Sequence, residues 1–146
     1  MTVEMSVATG AARRLLIWTR DVVARHRTAL LVLWPLAVVA VAGASLVPQL
    51  APSGGSFLFL PIDKCIHFAA YAGLAFLPQA TLLRPDWARL GALSMAAFGV
   101  AVEIAQSYVP GREGSVGDAV INALGVVGGI ALGMALRTPR GAGAPA

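Results

Sequence analysis

Apolar residues run along this chain in four long stretches that are nearly free of charge. Positions 28–62 hold no Lys, Arg, Asp or Glu, nor do 65–83 or 119–136, and 90–111 hold only Glu103. A helix needs about 20 residues to cross a hydrocarbon layer about 30 Å thick. The pattern predicts membrane-spanning helices near 29–48, 66–83, 90–109 and 119–136, because only helices let such runs pair every backbone group inside lipid. Pro35 and Pro78 fall inside the first two, where a membrane helix tolerates a kink. The turn residues of 49–62 predict a loop, and Arg84-Pro85-Asp86 a tight hinge. The expected fold is an all-α polytopic membrane bundle. Residues 1–28 form an arginine-rich N-terminal segment, 29–136 a four-helix transmembrane domain and 137–146 a disordered tail. Residues 1–10 also read as unstructured.

Composition supports lipid as the solvent. The chain is 58% hydrophobic and 12% charged, against about 25% charged in soluble domains. A soluble domain of this size leaves about a third of its unfolded surface wet and cannot hide so much apolar area. The net charge of +4 does not indicate nucleic acid, since ten of the eleven basic residues are arginines without a dense run or interleaved aromatics. The lone Cys65 excludes an internal disulfide and a thiolate zinc site, and reads as a small apolar side chain.

Arginine placement sets the expected orientation. Arg13, Arg14, Arg20, Arg25 and Arg27 precede the first span, Arg84 and Arg89 separate the second and third, and Arg137 and Arg140 follow the fourth. The opposite face has Lys64 and Arg112. Both termini are therefore expected on the cytoplasmic side of the membrane. Residues 11–27 read as a topogenic flank rather than an interfacial helix. Ala42-Gly43-Ala44 fits a signal-peptide cleavage pattern, but the preceding basic segment is long and the apolar run continues past it, so retention as a span is expected.

The few polar residues inside the spans fall into stripes. Asp63, His67 and Tyr71 recur four apart, Gly99, Glu103 and Gln106 share one face, and Asp118, Asn122 and Gly125 repeat that spacing. With Lys64 and Arg112 they are expected to converge near the outer surface. Each has a structural alternative. Asp63 and Asp118 suit helix caps, the latter in Ser115-x-x-Asp118. His67 suits a bond to Asp63, and Asn122 suits interhelical glue. Glu103 is the strongest functional candidate, because an unpaired carboxylate in lipid costs about 2.5 kcal/mol or more. Its expected partners are Lys64, His67 and Arg112. Gly125, Gly129 and Gly133 form a helix-packing stripe.

In order, Asp63-Lys64-x-x-His67-Phe68-x-x-Tyr71, Glu103-x-x-Gln106, Pro110-Gly111-Arg112 and Asp118-x-x-x-Asn122-x-x-Gly125 resemble the VanZ-like family of bacterial integral membrane proteins, over residues 61–129. The family is named for a protein of a glycopeptide-resistance cluster that confers low-level resistance to teicoplanin. The resemblance implies a polytopic cell-envelope protein.

The first expectation is a non-enzymatic protein that binds a lipid-linked precursor or a lipoglycopeptide at an outer pocket. Its ligand residues would be Asp63, Lys64, His67, Tyr71, Glu103, Gln106, Arg112, Asp118 and Asn122. Membrane lipids are partners, while no cofactor or resident metal is expected. The alternatives are an intramembrane enzyme using His67 and Glu103 as acid and base, with a divalent ion on Asp63, Glu103 and Asp118 as a variant, and a small assembly module.

Overall fold

The computed structural model describes residues 2–50, 55–57 and 60–137, and these are almost entirely helical. Helix α1 spans Thr2–Arg25, α2 Arg27–Leu46, α3 Ile62–Thr81, α4 Pro85–Gln106 and α5 Val116–Leu136. A 3₁₀ turn, Pro48–Leu50, follows α2. Before α3, strand β1 (Ser56–Phe57) pairs antiparallel with β2 (Leu60–Pro61).

Among the described residues, three helices, α2, α4 and α5, are long and apolar enough to cross a membrane. The expected second span, 66–83, coincides with α3 over 66–81; α3 is as long as α2 but starts four residues earlier and carries Asp63, Lys64, His67 and Gln79. Its polar residues are accommodated by its position: α3 packs most extensively on α5, then on α4 and α2. Exposed side chains such as Val39 on α2, Leu93 on α4 and Val127 on α5 form the apolar exterior expected of a membrane-embedded protein.

Residues 2–10 are a correction to the sequence expectation. They belong to α1 rather than to an unstructured leader. Arg137, expected as the first residue of the tail, is anchored. Arg137 donates from Nε to the Gln79 carbonyl at 2.8 Å and from Nη2 to the Leu82 carbonyl at 2.8 Å, tying the chain to the end of α3. Residues 138–146 lie outside the described residues.

Local chemistry explains the helix boundaries. Pro85 occupies the start of α4, where its missing N–H costs nothing, and Asp86 lies in the first turn against the positive dipole end. Inside α3, Pro78 cannot donate to the Leu74 carbonyl. The Trp34 indole of α2 supplies that bond instead, at 2.9 Å. Gly91 of α4 sits against both residues; a Cβ there would come within 3.0 Å of Pro78 Cβ and 3.3 Å of the Trp34 ring. The proline thus helps lock three helices together.

Tyr71, Leu74, Ala75, Ala92, Met95 and Val126 form the buried core. The α3–α5 seam is closer still. A Cβ on Gly125 would strike the Phe68 carbonyl, one on Gly129 the Ala72 carbonyl, and one on Gly133 the Gln79 side chain. Backbone-to-backbone approach at this seam admits hydrogen only.

Candidate functional site

Helices α3 and α5 begin, and α2 and α4 end, at the same end of the bundle. A positive dipole end therefore stands beside a negative one, and polar side chains from α3, α4, α5 and the α4–α5 loop answer them. Ser115 is the N-cap of α5: its Oγ accepts the Asp118 backbone N–H at 3.3 Å. The Ser115 N–H itself donates to Glu103 Oε2 on α4 at 3.0 Å. A capping box normally closes this second bond within one helix; here the acid comes from a neighbour.

Glu103 accepts a second hydrogen bond at Oε1, from Asn122 Nδ2 at 3.1 Å. Asn122 Oδ1 is then the acceptor facing His67 Nδ1 at 3.0 Å. This orientation requires the proton on Nδ1, which makes Nε2 the acceptor nitrogen of a neutral His67 ring. Glu103 and Asn122 are both buried. The result is a continuous array from His67 through Asn122 and Glu103 to the α5 backbone.

One expected contact is corrected, and a second is met only by His67. His67 bonds Asn122 rather than Asp63, because the buried face of α3 turns it toward α5 instead of along its own helix. Glu103 is held by neutral donors, with His67 Nδ1 at 3.9 Å as its nearest cationic candidate. Lys64 instead bridges Asp118 and, at 3.2 Å, Asp63. Asp63 sits in the first turn of α3, whose N-cap is Pro61.

Arg112 is also diverted. Its Nη2 donates to the Ala44 and Val47 carbonyls at 2.8 and 3.0 Å, and Gln106 Nε2 donates to the Ser45 carbonyl at 2.9 Å. These are carbonyls at the end of α2, which lack partners within the helix. Pro110-Gly111 aims Arg112: the Arg112 N–H bonds the Val109 carbonyl at 3.0 Å, and Gly111 has φ +80°. Proline followed by a left-handed glycine makes this a type II turn.

Next to the array is a cleft of about 110 Å³. His67, Tyr71, Gln106 and Arg112 form its polar wall, and Val41, Leu50, Ile66 and Ala70 its apolar one. Two buried atoms of this wall, Tyr71 Oη and Arg112 Nε, have no hydrogen-bond partner among the described residues. Gly99 lets the wall close; a Cβ there would come within 3.0 Å of the Tyr71 ring and 3.2 Å of Asn122. Asp63, Lys64 and Asp118 lie outside the cleft lining.

Asp63, Glu103 and Asp118 do not gather around a common point, and among the described residues no group of three or more such ligands is placed to hold a metal ion. Ser115 was visible in the sequence as a cap, but its bond to Glu103 was not, since spacing within α5 carries no information about α4. The family model described as VanZ/LLP1 matches residues 14–137. No curated protein and no solved structure matches the chain.

Proposed function

From the premise that the chain belongs to the VanZ-like family, we propose that it is a bacterial plasma-membrane protein that binds a lipid-linked envelope precursor or a lipid-tailed glycopeptide. In this reading α2 to α5 cross the bilayer, both termini face the cytoplasm, and the Glu103 end faces outward. The arginine distribution supports that orientation.

The observation that carries the proposal is the pair of unpartnered donors, Tyr71 Oη and Arg112 Nε, on one cleft. Leaving a buried donor unpaired costs about 1–3 kcal/mol, a cost that an anionic ligand oxygen removes. A space of about 110 Å³ is smaller than the 300 Å³ or so of a drug-sized site, so it takes a phosphate- or carboxylate-sized group. The tail follows the apolar wall of Val41, Ile66 and Ala70 into lipid. Lys64 and Asp118 then stabilise the helix starts, while His67, Asn122 and Glu103 hold the polar wall rigid.

The test uses full-length protein in nanodiscs with a polyprenyl diphosphate or teicoplanin as probe, and cells challenged with teicoplanin. Arg112→Ala is expected to keep its membrane level, weaken probe binding at least tenfold and abolish any protection. Unchanged binding contradicts the proposal.

The His67–Asn122–Glu103 array favours a second reading, an enzyme acting on an envelope lipid. His67 Nε2 would serve as general base, with Asn122 and Glu103 orienting the ring. This reading expects lipid turnover by purified protein that His67→Asn eliminates while folded protein persists.

A further inference from the structure

A separate cleft lies at the opposite end of the bundle, where α3 and α5 finish and α4 begins. It encloses about 730 Å³, enough for a headgroup-sized ligand. Arg20, Arg27, Arg89 and Arg137 line it, with Asp21 the one acid among the lining residues.

Two of these guanidiniums are anchored with donors to spare. Arg20 uses Nε and Nη2 on the Leu136 and Ala135 carbonyls, both at 2.9 Å, and Nη2 also reaches the Arg137 carbonyl at 3.4 Å. Arg27 uses Nε on the Thr81 carbonyl at 2.6 Å. A guanidinium has five N–H donors, so Nη1 of Arg20 and both terminal nitrogens of Arg27 remain. They are held in place by bonds that a ligand need not break.

Gln79 supplies the independent observation. It lines the same cleft and is 1% exposed, yet its Nε2 has no acceptor among the described residues. Gly133 admits it at the α3–α5 seam, because a Cβ there would collide with the Gln79 side chain. A buried amide donor without an acceptor, in a cationic cleft, lacks only an anionic oxygen.

We propose that this cleft binds a phosphate group, with Arg20, Arg27 and Arg89 neutralising its oxygens and Gln79 Nε2 donating to one of them. The phosphate belongs to an anionic phospholipid headgroup or to a soluble phosphate ester. The apolar residues Val23, Leu82, Leu83 and Leu136 on the lining suit the lipid source. The site is distinct from the His67 cleft and does not depend on the ligand proposed there.

The experiment measures the melting temperature of full-length, detergent-purified protein titrated with phosphatidylglycerol, diacylglycerol, glycerol 3-phosphate or glycerol. A rise with phosphatidylglycerol alone supports the site and identifies the lipid source. A rise with glycerol 3-phosphate as well supports the site and identifies a soluble ester. No response to either phosphate compound, or an equal response to diacylglycerol, overturns the proposal. Gln79→Met and the exposed Arg89→Ala are each expected to weaken the apparent affinity at least fivefold. Arg14→Ala, exposed on α1 and outside the cleft lining, is expected to leave it unchanged. Equal weakening by Arg14→Ala, or unaltered affinity in both cleft variants, also overturns it.

Discussion

The two ends of the α3–α5 pair solve opposite problems. Where the two helices begin, orphan N–H groups and a positive dipole end favour acids, and Asp63, Asp118 and the Glu103 carboxylate are found there. Where they finish, orphan carbonyls favour cations, and Arg20, Arg27 and Arg137 bond six of those carbonyls between them. The acidic end is wired side chain to side chain, so its members depend on one another. The arginine end consists of separate bonds from side chains to carbonyls, each replaceable by water near a helix terminus. Loss of one residue should therefore cost more at the first end than at the second.

Glu103→Leu tests this most severely. It strands Asn122 Nδ2 and the Ser115 N–H together, for a loss of about 3 kcal/mol or more at about 1–3 kcal/mol per buried orphan. Glu103→Gln should recover about half of that, read by reversible unfolding in mixed micelles. Arg27→Ala removes one charged donor from the Thr81 carbonyl and should cost about 1.5 kcal/mol. A larger loss for Arg27→Ala than for Glu103→Leu would break the comparison. Ser115→Ala removes the cap on Asp118 but leaves its own N–H on Glu103, and should cost about 1 kcal/mol by the same measurement. Tyr71→Phe should raise stability by about 1 kcal/mol, since it removes a buried hydroxyl without a partner among the described residues while the ring keeps its contact with Phe98 at 5.9 Å.

Much of the acidic end was legible in the sequence, and most of the arginine end was not. Charge-free intervals identify α2 to α5, and spacings of three and four residues put Glu103 with Gln106, and Asp118 with Asn122, on shared faces. Such spacing says which residues share a side of one helix, not which neighbouring helix that side meets. His67 therefore looked like a partner for Asp63 and Glu103 like a partner for a cation, whereas Asn122 from α5 stands between them. The arginines read as orientation signals, a role that requires no particular contact. Their bonds go to backbone carbonyls, which every residue has, so no side-chain pattern announces them. Gln79 is illegible in the sequence for a related reason: a single amide near a proline in an apolar run carries no pattern, and only the fold buries its Nε2 without an acceptor among the described residues.

The central claim is that the polar end of this VanZ-like bundle keeps a donor in reserve for a ligand, beyond what its own packing uses. Tyr71→Phe isolates that donor, because it deletes one oxygen and leaves the core in place. The decisive measurement is the affinity of the Tyr71→Phe protein in nanodiscs for a polyprenyl diphosphate or teicoplanin, beside its melting temperature without ligand. The account predicts a melting temperature no lower than that of the native chain and binding weakened at least fivefold. Binding equal to that of the native chain would contradict it.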